Sequence, residues 1–277
     1  MARFAKIIIF LMIIACPADA ESLRVISLYP GHSDNIYAMG GAEMLIALSE
    51  NDDADLLPEL PRISLRSGAE RILALKPDIV VTRTFAERIN PNVYDVLRRS
   101  GVKIISLDPP SWEDFPEYLE TLAKSLNLNP ESAIKKLSEI RRKISGSKSS
   151  NHPHVFLEAV SREVRTCSPD SWAAKLIELS GGVNIAADAV PLRQGSAIAA
   201  WGIERVLKNA DNIDVYIIQT GAMNSANVRD FYKREWTAAL KNVKVYEIPE
   251  KYMSRPSLLG LEKGGNELVK IFQEVNK

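Results

Sequence analysis

The chain has 277 residues, enough for one large domain or two modest ones, each with its own core. Hydrophobic residues make up 46% and charged residues 25%, the balance of an ordinary soluble globular protein. With 35 basic and 35 acidic residues the formal net charge is zero, so no global field favours nucleic acid or an anionic membrane; three scattered histidines, His32, His152 and His154, are too few for a multi-histidine metal site.

At the N-terminus Arg3 and Lys6 precede an apolar run over residues 7–15, and Ala18-Asp19-Ala20 follows with the small-x-small pattern that a signal peptidase reads. The run is too short for a permanent membrane span. A signal peptide over residues 1–20 is therefore predicted, with cleavage after Ala20. The competing reading is lipid attachment at Cys16, because Ile13-Ile14-Ala15-Cys16 resembles a lipobox, although Pro17 is unusual there. Cleavage after Ala20 leaves Cys167 as the single cysteine, which excludes an intramolecular disulfide and any multi-thiolate metal site within one chain.

Beyond the leader, short β-branched runs alternate with amphipathic stretches. Residues 24–28 read as a strand. Residues 33–47 follow with helical periodicity, Asp34 serving as a candidate N-cap. Strands are predicted at 79–82 and 103–107, with a helix over 92–100 stopped by Gly101. The small acidic cluster Asp52, Asp53 and Asp55 lacks the spacing of a calcium loop and reads as a solvated acidic loop. Pro130 after Asn129 opens a long helix that stops at Ser145-Gly146-Ser147 and joins the halves. The second half repeats the order, with strands at 155–159, 215–219 and 244–248 and helices over 172–179 and 230–240. An internal echo supports two related halves. Ala69-Glu70-Arg71-Ile72-Leu73 leads into Asp78-Ile79-Val80-Val81, and Ile203-Glu204-Arg205-Val206-Leu207 leads into Asp214-Val215-Tyr216-Ile217.

The predicted fold is α/β: two Rossmann-like lobes with mainly parallel sheets, joined by one long backbone helix. The expected division is an N-terminal lobe over 21–128, the connecting helix over 129–150 and a C-terminal lobe over 151–277. A stiff helix between lobes permits less hinge motion than flexible strands would.

Three segments carry a family resemblance. Arg24-Val25-Ile26-Ser27-Leu28-Tyr29-Pro30 with Ser33-Asp34-Asn35-Ile36, then Ala69 through Val80 (AERILALKPDIV), then Gly181-Gly182-Val183-Asn184-Ile185 together resemble the helical-backbone class of periplasmic binding proteins, which serve ABC importers of cobalamin, ferric siderophores and haem. The resemblance covers nearly the whole mature chain and implies a ligand-binding function rather than an enzyme. It implies partners too: a metal-chelate ligand and an ABC permease dimer with its ATPase subunits, met by a monomeric, extracytoplasmic protein without a resident cofactor. In this family a glutamate on each lobe docks into arginine pockets of the permease, and Glu70 and Glu204 stand at the matching positions. A carboxylate in a first helical turn is favoured by the helix dipole and suits bidentate arginine bonds.

Ligands of open α/β sheets bind beyond the carboxyl ends of the strands. The loops there supply the candidate ligand residues. In the first lobe they are Tyr29, His32, Arg83, Phe85 and Trp112, with Arg66 ahead of the Glu70 helix. In the second they are Arg165, Met223 and Arg255, with Trp201 ahead of the Glu204 helix. Arginines bind carboxylate or catecholate oxygens through paired donors, and aromatic rings pack against flat apolar bodies. The mixture suits a sizeable anionic metal complex. Each arginine alone also reads as a surface ion pair, and both tryptophans fit core packing as well as ligand contact. His32 and Tyr29 have the chemistry of axial ligands, though a lone loop histidine more often serves hydrogen bonding. Arg83 and Leu65-Arg66 stand where the family's cobalamin members place cleft tryptophans, which argues against carrying over cobalamin specificity directly. Two competing functions remain from sequence: an exported chelatase or hydrolase on a similar fold, and a permease-independent sensor. The first lacks a Gly-x-Ser-x-Gly elbow and a His-Glu-x-x-His pair, and Ser196 in Gly195-Ser196-Ala197 lacks the spaced glycines of an elbow.

Overall fold

The structure, a computed structural model, describes residues 22–148 and 150–275. The leader over 1–20, the cut after Ala20 and the lipid site at Cys16 lie outside the described residues. Among the described residues no helix is long and apolar enough to cross a membrane.

The first half holds strands β1 (Val25–Ser27), β2 (Leu45–Ser49), β3 (Arg62–Ile63), β4 (Ile79–Thr82) and β5 (Lys103–Ser106). Its helices are α1 (Pro30–Ala38), α2 (Ala69–Leu73), α3 (Thr84–Ile89), α4 (Pro91–Arg99) and α5 (Phe115–Ser125). The strands are all parallel, in the order β3-β2-β1-β4-β5. β1 and β4 are buried along their whole length, which is why they read as unbroken apolar runs rather than alternating ones.

Helix α6 (Pro130–Gly146) follows, its first turn capped by the Asn129 side chain, which accepts from the Ser132 amide at 3.2 Å. The second half contains β6 (His154–Glu158), β7 (Thr166–Cys167), α7 (Trp172–Leu179), β8 (Val183–Asn184), β9 (Val190–Pro191) and β10 (Ile198–Ala200). It continues with α8 (Ile203–Lys208), β11 (Val215–Thr220), α9 (Val228–Tyr232), β12 (Lys244–Pro249), α10 (Glu250–Met253) and α11 (Leu258–Val275). A second parallel sheet has the order β12-β11-β6-β8. A small antiparallel sheet, β7-β10-β9, flanks it and was not foreseen from sequence. The α/β fold of two parallel-sheet lobes joined by one long helix is thus present.

Two expectations need correction. The helix predicted over 33–47 ends at Ala38, and Leu45–Ser49 forms β2 beside the central strand. Gly40, at φ +86°, turns the chain out of the helix, a conformation that disfavours other residues. Burial against β1 then decides the fate of a segment with no strong strand preference of its own. The helix starts at Pro30 with Tyr29 as its cap, so Asp34 lies inside it and is not an N-cap. The helix predicted over 230–240 is split into α9 and a 3-10 turn over Glu235–Ala239. Arg234 between them is extended (φ −83°, ψ 120°), and its side chain reaches the buried Glu158.

The halves share one apolar cluster beneath the sheets. It runs from Val25 and Leu119 through Leu137 and Ile144 of α6 to Leu176, Leu261 and Phe272. At this joint Trp112 meets Trp172 with ring centres 4.7 Å apart, and Phe115 packs edge-on to the same ring. Asn35 of α1 accepts from the Leu258 amide at 2.8 Å, so a side chain of the first half caps the last helix of the second. Such joints resist large hinge motion and leave the upper edges of the sheets facing across a gap.

Candidate functional site

The gap is a cleft of about 550 Å³, and its walls follow from the topology. Leu28, Tyr29 and Pro30 follow β1, Ser49 and Asn51 end and follow β2, Leu65 follows β3, and Arg83 follows β4. From the other half Thr220, Gly221 and Ala222 end and follow β11. Pro249, Glu250 and Lys251 end and follow β12, and Ser254 and Arg255 come from the turn after α10. Parallel strands end together at one edge, so two such sheets present two loop sets across one opening.

Arg83 is the central feature of the first wall. Its guanidinium carbon lies 4.7 Å from the centre of the Tyr29 ring and 5.9 Å from that of Phe85. Among the described residues it makes no ion pair with a carboxylate. The stacked guanidinium keeps its donors for something else. The Tyr29 phenol is pushed up by burial, and the nearby Arg83 charge offsets part of that rise.

The second wall carries two cations already engaged. Arg255 is 3.1 Å from Asp34, which also accepts from the Ser257 hydroxyl at 3.1 Å. Burial raises the Asp34 carboxyl above the usual range, against the pull of Arg255. Lys251 is 2.5 Å from Asp53. Burial pushes the Asp53 carboxyl up, but Lys251 outweighs it and the net shift is downward. The acidic trio is therefore not simply a solvated loop. Asp52 is buried, accepts from the Ser49 amide at 2.8 Å, and is raised by burial to about 6.

The remaining predicted residues distribute as follows. His32 is fully buried, with Nδ1 2.6 Å from the Tyr118 hydroxyl and Nε2 3.1 Å from the Thr82 carbonyl, so neither nitrogen is free to ligate a metal. His32 therefore serves hydrogen bonding, the commoner reading of a lone loop histidine, rather than axial ligation. Trp112 is not in the cleft; besides Trp172 it carries Arg141 over its ring at 4.7 Å. Trp201 is buried against Phe156 beneath Arg205, which stacks at 3.6 Å, so it too is a packing residue. Arg165 pairs with Glu163 at 2.6 Å, and Arg66 is exposed; neither lines the cleft. Phe85 and Met223, 46% and 52% exposed, stand at the rim beside the lining residues Arg83 and Ala222. Tyr29, Arg83 and Arg255 are the predicted residues that the cleft brings together. Missed were Ser49 and Asn51, hidden by the misread helix, and Lys251, whose signal was its place just after a strand end.

Glu70 and Glu204 occupy the first turns of α2 and α8, both exposed and neither ion-paired among the described residues. Each helix precedes a strand of a parallel sheet, α2 leading to β4 and α8 to β11. Among the described residues no three His, Cys, Asp or Glu side chains converge as a metal-binding group.

The profile of a family described as periplasmic binding protein matches residues 25–252. A vitamin B12-binding protein of Vibrio cholerae is 28% identical over 256 residues, covering 88% of this chain and 87% of that protein. The solved vitamin B12-binding protein of the same organism superposes with a TM-score of 0.62 at 25% identity, covering 92% and 98% of the two chains. A periplasmic haem-binding protein of Vibrio cholerae reaches a TM-score of 0.74 at 16% identity, covering 90% and 98%, which shows a shared fold.

Proposed function

This chain belongs to the periplasmic binding protein family, and on that premise we propose that it captures an iron chelate or corrinoid (a siderophore, haem or cobamide) between its lobes and delivers it to a membrane permease. The observation that carries the reading is the cleft itself: loops from the carboxyl edges of two parallel sheets face one another, and within it an arginine with no ion-pair partner among the described residues lies on a tyrosine ring. A flat or bulky chelate would lie on the Tyr29–Arg83 surface, its acidic groups meeting cations from both walls. Relatives that bind vitamin B12 and haem make a metal chelate the natural ligand class. Binding without turnover fits the family, whose matched relatives are named as binding proteins.

The protein would act outside the cytoplasmic membrane as a monomer. Glu70 and Glu204 would meet arginines of a permease dimer, one per lobe, so that the transporter senses how the lobes are set. Two measurements test the proposal. Titration with haemin, a ferric siderophore and cyanocobalamin should show saturable binding of at least one with no chemical change in it. With the permease complex in proteoliposomes, the loaded protein should stimulate ATP hydrolysis, and Glu70→Ala with Glu204→Ala should abolish stimulation while leaving chelate affinity intact. Absence of binding to every chelate would reject the ligand class. Undiminished stimulation by the double variant would reject the docking role.

A further inference from the structure

Lys251 and Arg255 belong to two spaces at once. Both line the ligand cleft, and both line a smaller cavity of about 310 Å³ beside it, where Asp34, Asp53 and Lys263 also lie. The cations come from the second half and their carboxylates from the first, so each pair crosses between the lobes. The free protein thus supplies its own anions to the second wall, while Arg83 on the first wall has none among the described residues.

The two pairs differ in how readily they can be exchanged. Asp34 and Arg255 have side chains only 9% and 17% exposed, and Asp34 holds Ser257 as well. Breaking a buried, multiply bonded pair strands a charge, so this pair stays closed. Asp53 and Lys251 are 24% and 30% exposed, so their ion pair is nearer to solvent and more readily exchanged than the first. Lysine presents a compact charge on a flexible stem with three rotatable donors, so it can change partner without rebuilding the backbone. Asp53 would not be left alone. The Tyr252 ring carries Lys251 on it at 5.1 Å and Lys263 at 5.3 Å, and Lys263 lines the same side cavity as Asp53.

We propose that Lys251 is an exchanging specificity residue, held by Asp53 across the lobes in the free protein and passed to an acidic group of the ligand on capture. The inference rests on the chelate-binding reading above and narrows it: the ligand is anionic, bearing carboxylates or catecholates, and a neutral corrinoid cannot displace Asp53. Arg83 fixes the anion to the first wall, Lys251 joins it from the second, and the same event releases one inter-lobe tie. Ligand charge thereby becomes a change in the coupling of the lobes.

The experiment measures the affinities of haemin, ferric tris-catecholate and cyanocobalamin for the full mature chain and its variants. Asp53→Asn removes the competing carboxylate and should tighten the anionic probes about two- to fivefold while leaving cyanocobalamin unchanged. Lys251→Gln should weaken the anionic probes, and in that background Asp53→Asn should have no further effect. A purely structural pair would shift all probes alike and show no such coupling. Tightening absent from the Asp53→Asn protein, or equal for cyanocobalamin, overturns the proposal. Binding of cyanocobalamin alone overturns it while sparing the wider function. Binding of none of the three overturns both.

Discussion

The His32 imidazole and the Tyr118 hydroxyl, 2.6 Å apart, form the buried link between α1 and α5 under the cleft floor. The other ring nitrogen, Nε2, faces the Thr82 carbonyl at 3.1 Å. A carbonyl only accepts, so Nε2 carries the proton and Tyr118 donates to Nδ1. The neutral tautomer thus satisfies both partners, and a second ring proton would oppose the tyrosine.

Acid sensitivity follows. Burial lowers the His32 pKa from its ordinary 6.5 to about 4. A depressed histidine contributes stability that is present above 6.5 and is lost as pH falls through 4, because the unfolded chain binds the proton first. The shift corresponds to about 3 kcal/mol across that window. Denaturation midpoints of the wild type should fall more steeply between pH 6.5 and 4 than those of His32→Asn. A ring that titrates near 6.5 by proton NMR would contradict this.

A second prediction concerns the buried carboxylate of the other lobe. Glu158 has no exposed side-chain surface and receives both guanidinium nitrogens of Arg234, with the Tyr216 hydroxyl at 2.6 Å. Removing one partner of such a pair leaves a charge uncompensated, at a cost of about 3–5 kcal/mol. Arg234→Ala should therefore lose that much stability in urea unfolding. The double variant Glu158→Leu with Arg234→Met should recover most of it, since neither charge remains. Equal losses in single and double variants would show that packing, rather than the stranded charge, sets the cost.

These buried pairs also show which parts of the protein sequence alone could reveal. Asn129-Pro130 marks the start of α6 because capping is local, and Gly101 at φ +87° marks the end of α4 for the same reason. The strand-end rule found Tyr29, Arg83 and Arg255 without knowledge of any contact. Sequence alone left open the choice between hydrogen bonding and ligation at His32, whose fate depends on a tyrosine 86 residues away, and between core and cleft at Trp112 and Trp201, where ring partners decide. Lys251 escaped notice because its importance comes from Asp53, 198 residues distant. Local signals set elements; long-range polar partners selected among the candidate side chains.

The joint between the lobes offers a third prediction. Gly265 of α11 lies directly on Ile144 of α6, and a Cβ there would overlap the isoleucine side chain. Helices approach this closely only where one side presents no side chain. Gly265→Ala should destabilise the protein by about 1–3 kcal/mol, the usual result of overpacking a filled core. Gly146, at the end of α6, would meet nothing within 4 Å, so Gly146→Ala should be neutral or slightly stabilising. Chemical denaturation of the two variants, measured together, separates steric fit from any general effect of losing a glycine.

Arg83 should behave in the opposite sense, costing binding and not stability. Its guanidinium rests on Tyr29 and pairs with no carboxylate among the described residues, so replacing it breaks no ion pair within the fold. Arg83→Gln should accordingly leave the unfolding midpoint within about 0.5 kcal/mol of wild type, as for a surface substitution. A charge-assisted hydrogen bond to a ligand oxygen is worth about 1.5–3 kcal/mol, so affinity for an anionic chelate should fall roughly ten- to a hundredfold. Arg165 supplies the control: it is bound to Glu163 away from the cleft, and Arg165→Gln should leave affinity unchanged. If Arg83→Gln instead destabilised the protein while binding persisted, the guanidinium would be a structural prop for Tyr29 rather than a hand held out to the ligand.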